Sequence, residues 1–231
     1  MTAVGYFRGD RVEVIVCRGS MLSYPRHNHV STLTVGLVLE GAVELATDLG
    51  TELYRENGLF ALPPYVPHSL NARAPYTLVS LCVSRERIVR GDPGEAREAA
   101  AALLRRVLGR PEVEQRLLEG LSFLSGERDL RKGPLTSLRT RLETEPELPC
   151  SLEDMAALAW GLTPHQFQLQ NRVRKGQRLL SGPATVAEAA AAAGFCDQSH
   201  FDRHFKRLVG LTPADYKRSC GALPSLKAGP G

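Results

Sequence analysis

Three histidines near the N-terminus and one basic helix near the C-terminus are the residues of this 231-residue chain whose types and spacing suit chemistry or recognition. His27 and His29 stand two apart, so on a strand both rings point to one face. With His68 brought alongside, three imidazoles can make a metal site with open coordination positions. The same rings can instead line the pocket of an organic ligand or complete structural hydrogen bonds, and their near-neutral titration leaves pH sensing open. The metal reading lacks an acid, because the stretch after the pair is Val30-Ser31-Thr32-Leu33-Thr34. The expectation is a ligand-lining role for His27, His29 and His68 with no cofactor and no metal, a metal at these three residues being the outlying alternative.

The second candidate is Gln198 to Val209. A 3.6-residue period puts Phe201, Phe205 and Leu208 on a core stripe. The opposite side then presents Ser199, Arg203, Lys206 and Arg207, with Gln198 and His200 nearer its margin. Arg, Ser and Gln at the start of such a helix can reach base edges in a major groove, while Lys206 and Arg207 suit phosphates. The plain alternative is an amphipathic helix whose wet face happens to be basic.

The rest of the chain must position these groups. Residues 4–84 read as strands: Arg11–Val16 alternates, Thr32–Leu39 is a β-branched and leucine run, and Ala42–Leu45 and Tyr76–Val83 follow. Turn-formers at Glu40-Gly41, Asp48-Leu49-Gly50, Glu56-Asn57-Gly58 and Pro63-Pro64 separate them, which suggests a sandwich or small barrel. Between about 94 and 125, Ala-, Leu- and Arg-rich segments show helical spacing broken at Gly109-Arg110-Pro111. Residues 126–134 are rich in turn-formers. After Leu135 the pattern is helical, with hydroxyl caps three residues before an acid or amide at Ser151, Thr163, Thr185 and Thr212, and proline at the first helical position of two of them.

Composition removes several classes. At 43% hydrophobic the chain can bury a core, and no apolar run approaches the ~18 residues of a membrane span. The N-terminus, MTAVGYFRGDRVEVIV, lacks the apolar core of a secretory signal. Cys17, Cys82, Cys150, Cys196 and Cys220 have no paired spacing, which argues for a reduced compartment and against a disulfide framework or zinc knot. The net charge of +4 is uneven: residues 165–180 hold four basic residues and no acid, and 203–218 hold five against one. Two basic islands on one module suggest a polyanionic partner.

The C-terminal part repeats itself. Gly161-Leu-Thr-Pro-His-Gln-Phe167 and Gly210-Leu-Thr-Pro-Ala-Asp-Tyr216 are one phrase used twice, each preceded by a capped alanine-rich helix. In the second copy a short helix, a glycine turn at Gly194 and a second helix make a helix-turn-helix. In the first, Trp160 runs straight into Gly161, so Phe195–Val209 has no counterpart. That copy lacks its turn and recognition helix.

GFCDQSHFDRHFKRLVGLTPADYKR (194–218), with SLEDMAALA (151–159) and QxxNRVRKGQRLL (168–180), resembles the C-terminal signature of the AraC/XylS transcription regulators. Tyr24-Pro-Arg-His27-Asn-His29, Glu40-Gly41 and Gly58-Leu-Phe-Ala-Leu-Pro-Pro-Tyr-Val-Pro-His68 resemble the two halves of a cupin barrel, the sensor many such regulators carry. The resemblance implies an α+β fold, a cupin-like β-barrel or jelly roll followed by an all-α helix-turn-helix domain. It implies a sensor at 1–84, a helical linker and dimerisation element at 85–134, a DNA-binding domain at 135–220 with its intact unit at about 185–209, and a flexible tail at 221–231. Packing of the 94–125 helical pair within one chain is the alternative to dimerisation. By resemblance Gln198, Ser199, Asp202 and Arg203 face bases, Lys206 lies near the backbone, and His165–Leu180 is the linking helix. There Gly176 replaces the usual alanine, which implies a looser joint.

The function implied is a cytoplasmic, nucleoid-associated bacterial regulator that binds double-stranded DNA in response to a small-molecule effector, rather than an enzyme. A homodimer, and RNA polymerase if the chain is an activator, are the further partners; a membrane is not. A regulator impaired in DNA binding and acting through dimerisation is the main alternative. A metal-dependent cupin enzyme is the last.

Overall fold

The computed structural model describes residues 3–29, 32–86, 93–125, 151 and 161–220. The first repeat's helix, the 126–134 boundary and the tail after 220 lie outside them.

Nine antiparallel strands form the N-terminal half: β1 (Ala3–Arg8), β2 (Val12–Ser20), β3 (Tyr24–His27), β4 (Thr32–Glu40), β5 (Ala42–Thr47), β6 (Gly50–Arg55), β7 (Leu59–Leu62), β8 (His68–Ala72) and β9 (Tyr76–Ser84). They make a five-stranded sheet in the order β1-β2-β9-β4-β7 and a four-stranded sheet in the order β3-β8-β5-β6. Non-sequential neighbours such as β9 between β2 and β4 give the crossed-over connectivity of a jelly roll.

The larger sheet is covered on both faces, which explains the near-continuous burial of β4 and β9. On one face Val14, Leu33, Val35, Leu37, Val79 and Leu81 pack under α1 (Pro93–Leu108) and α2 (Pro111–Ser125). Pro93 and Pro111 open these helices, where a missing amide costs nothing. Gly120 on α2 lets the helix approach the sheet, since a Cβ there would lie 2.7 Å from Val35 Cγ1. On the other face Thr34, Val38, Leu78 and Cys82 look inward, towards Val43, Leu45 and Leu70 of the smaller sheet.

The C-terminal module comprises α3 (Pro164–Leu180), α4 (Val186–Ala192), α5 (Gln198–Val209) and α6 (Pro213–Ser219). The caps read from the sequence are in place: Thr163 and Thr185 form reciprocal capping boxes with Gln166 and Glu188, and Thr212 accepts from the Asp215 amide. Asp197 caps α5 and Gly210, at φ 83°, closes it in the left-handed conformation. The core stripe of α5 is Phe201, Phe205 and Val209, while Leu208 is half-buried. Gly176 does not loosen the joint. A Cβ there would lie 2.6 Å from two carbons of the Phe201 ring, so the glycine lets α3 and α5 pack closer than alanine allows.

The two halves share one hydrophobic cluster, in which Val4, Tyr6 and Phe60 of the sheets join Val173, Leu180 and Val209 of the helices. Tyr6 donates its hydroxyl proton to the Val209 carbonyl at 3.0 Å. Arg8 reaches Ser181 Oγ at 2.6 Å and Tyr216 Oη at 2.7 Å while paired with Glu13 at 2.7 Å.

Candidate functional site

A cavity of about 460 Å³ opens between the inner sheet faces and is closed on one side by α3 and the end of α5. Its walls are largely apolar, with Leu45, Phe60, Leu62, Leu70 and Leu78 from the strands and Val173 and Val209 from the helices. His27, His29 and His68 stand together at one part of it. Residue 27 is the cross-strand partner of residue 68 in the β3–β8 register, which places their rings 4.3 Å apart between centroids. His29, just beyond β3, lies 5.3 Å from His27 and 5.0 Å from His68 by the same measure.

Each imidazole is held through Nδ1. His27 Nδ1 bonds the Pro25 carbonyl at 2.8 Å, His68 Nδ1 the Val66 carbonyl at 2.9 Å, and His29 Nδ1 the Thr34 hydroxyl at 2.6 Å. A carbonyl only accepts, so the first two rings carry their proton on Nδ1. Thr34 donates its own proton to Cys82 Sγ at 3.5 Å, which leaves its oxygen to accept from His29. Burial, reinforced by neighbouring His68, holds His27 down to about 3 and His29 well below the ordinary imidazole range. Burial also lowers His68. All three rings are neutral near pH 7, each with an Nε2 lone pair to offer.

Cations face them from α3. Arg174 is half-buried, and desolvation with repulsion from Arg178 lowers its guanidinium to about 10, so it stays charged at neutral pH. Among the described residues no carboxylate pairs with Arg174, which bonds Asn171 and the Asn28 carbonyl. Asn28, fully buried between two of the histidines, is the point where α3 grips the sensor. Gln170 donates to the Asn28 carbonyl and side-chain oxygen, both at 2.9 Å, and accepts from its amide at 3.2 Å. Asn28, Gln170 and Arg174 were not singled out from the sequence. The available signal was Gln170 itself, a polar residue at the head of the buried Val173–Gly176–Leu180 stripe.

On α5, Gln198, Ser199, Arg203, Lys206 and Arg207 are exposed, on the side away from Phe201 and Phe205. Two of the expected recognition residues are less free. His200 stacks edge-on against Phe195 and His204, with Nδ1 3.2 Å from Cys196 Sγ. Asp202 is half-buried, its Oδ1 enclosed without a hydrogen-bond partner.

The family model described as "AraC-like ligand binding domain" matches residues 12–138, and that described as "Helix-turn-helix domain" matches 151–219. The chain is 27% identical over 161 residues to the HTH-type transcriptional regulator MtrA of Neisseria gonorrhoeae, covering 63% of this chain and 52% of that protein. It is 34% identical over 58 residues to the probable transcriptional regulator LumQ of Photobacterium leiognathi, covering 25% and 23%. The chain thus spans about half the length of the first of these relatives and less of the second. Among solved structures, ToxT from Vibrio cholerae superposes over 92% of this chain and 100% of its own with a TM-score of 0.55 at 12% identity. ToxT with a bound unsaturated fatty acid covers 89% and 94%, with a TM-score of 0.51 at 14% identity. At these identities the likeness concerns the fold. Among the described residues no helix is long and apolar enough to cross a membrane.

Proposed function

The chain belongs to the AraC family of regulators, whose ligand-binding-domain model takes in more than half of it, and from that premise we infer that it is a single-headed, DNA-binding transcription regulator gated by a small organic acid. The observation that carries this reading is the cavity shared by sensor strands and α3, with the Asn28–Gln170 bonds tying the two. Apolar walls and Arg174, which no carboxylate of the described residues pairs with, suit a ligand with a hydrocarbon body and one carboxylate, since a half-buried cation without a counterion favours anion binding. That one ToxT structure holds an unsaturated fatty acid supports the same class. A ligand that draws Arg174 away from the Asn28 carbonyl would alter how α3 sits on the sensor, and with it α5, which packs on α3 through Phe201 and Gly176.

Gln198, Ser199 and Arg203 are the base-reading residues in this proposal, with Lys206 and Arg207 on phosphates. The missing recognition helix of the first repeat leaves one reading head, so the footprint is a single major-groove segment and the phosphate contacts are few. Selection from randomised duplex DNA at two salt concentrations, with and without oleate as the probe acid, tests this. The expected result is one enriched half-site whose retention changes with oleate and is lost on Arg203→Ala. Weak, salt-sensitive retention with no enriched motif would overturn sequence-specific binding and favour a regulator that acts through dimerisation instead.

A further inference from the structure

We propose that His27, His29 and His68 form a binding site for one divalent transition-metal ion, held by three Nε2 atoms, with its remaining position turned to the Arg174 side of the cavity and filled by water or an anion. The inference stands on the cluster's geometry and not on the DNA-binding reading. One ring nitrogen from each of the three residues lies within 4.8 Å of those of the other two. Tetrahedral zinc with Zn–N of about 2.0–2.1 Å needs nitrogens ~3.3 Å apart, so the widest pair has to close by up to about 1.5 Å.

Three features separate this cluster from histidines that only fill space. Every Nδ1 is engaged by an outward acceptor, the arrangement that fixes the tautomer of metal-ligating histidines and aims Nε2 at the ion. The acceptors come from three places, the Pro25 and Val66 carbonyls and the Thr34 hydroxyl, so no one strand imposes the convergence. The three Nε2 atoms have no hydrogen-bond partner among the described residues, while His68 is buried and His27 and His29 are half-buried. The donor set is three neutral nitrogens, which suits zinc, copper, nickel or cobalt and not magnesium or calcium. Among the described residues Arg174 is the one side-chain guanidinium that acts on all three rings. It opposes a bare dication and favours one carrying an anionic fourth ligand, which the guanidinium would also bind.

The test uses the untagged full chain, stripped with a chelator, then titrated with Co²⁺ and, in competition, Zn²⁺. One equivalent of Co²⁺ is expected, with visible d–d absorption of four- or five-coordinate geometry, displaced by Zn²⁺. His29→Gln and His68→Gln should each abolish the bands. Thr34→Val leaves the ligands in place but removes the acceptor for His29 Nδ1, and should weaken Co²⁺ binding about 10–100-fold; it also serves if the histidine variants misfold. Cys196→Ser should change nothing, which separates this site from the Cys196–His200 contact. Binding of less than a tenth of an equivalent, or bands retained in the His29→Gln, His68→Gln double variant, would overturn the proposal.

Discussion

Replacing Gly176 by alanine should destabilise the protein even though alanine is the better helix former. In an α-helix interior the exchange gains about 0.5–1 kcal/mol from backbone entropy and propensity. Here the new methyl would sit 2.6 Å from the Phe201 Cε2 and Cζ atoms. The ring has nowhere to go: it is fully buried and wedged between Phe195 and Phe205, with centroids at 5.0 and 5.2 Å. Overpacking of this kind costs about 1–3 kcal/mol, so the steric loss exceeds the helical gain and the net is a destabilisation of roughly 1 kcal/mol. For a chain of this length that is a fall in Tm of about 2–4 °C. The sign inverts when the ring is removed. In a Phe201→Leu background, Gly176→Ala should stabilise by about 0.5–1 kcal/mol, giving a double-mutant coupling of about 1–3 kcal/mol. Urea unfolding of the four proteins followed by far-UV circular dichroism measures all the terms. If Gly176→Ala stabilises both backgrounds equally, the close approach of α3 to α5 is not what holds that joint.

Other consequences follow from the same contacts. Gln170→Ala removes its bonds to the buried Asn28 amide, carbonyl and side-chain oxygen and should cost about 1–3 kcal/mol in urea unfolding; a change within a few tenths would mean that the clamp is replaced by water. Lys206→Ala should weaken binding evenly across DNA sequences and reduce the slope of log K against log salt by about 1, read by fluorescence anisotropy; a sequence-dependent loss would place Lys206 on a base instead. Burial pushes the Cys17 thiol up to about 11 and Cys82 to about 12, whereas Cys196 is exposed. With the native protein at pH 8, Cys196→Ser should therefore remove one fast-reacting equivalent of aromatic disulfide reagent, while Cys82→Ser removes none.

What could be read from the sequence was local. Thr163, Thr185 and Thr212 announce their helices because a cap needs only the next three residues. The strands of 4–84 show through alternation and glycine turns. The long apolar run of β4 gives a strand but not the reason for its length, which is the cover of α1 and α2 on a face that would otherwise be wet. The histidine cluster was half legible. The i, i+2 pair fixes two rings, but the third depends on pairing β3 with β8, a register set by the whole sheet. Gln170 and Asn28, 142 residues apart, carried no local mark beyond one polar residue in an apolar stripe. Gly176 misleads by itself, because propensity argues for a loose helix while the contact with Phe201 is invisible until α5 is placed.

The Tyr6 bond to the Val209 carbonyl joins the first strand to the last residue of α5, 203 positions later. The C-terminal carbonyls of a helix need partners from outside it, and here the sensor supplies one. Val173, Leu180 and Val209 meanwhile have their apolar neighbours in the barrel. The division into two domains thus describes the parts and not the cooperativity. These shared contacts predict that sensor and helical module open together in hydrogen exchange, and a helical module excised at its sequence boundary would carry a greasy face into solvent. Grafting this head onto another barrel would require transplanting Tyr6, Arg8 and Asn28 with it.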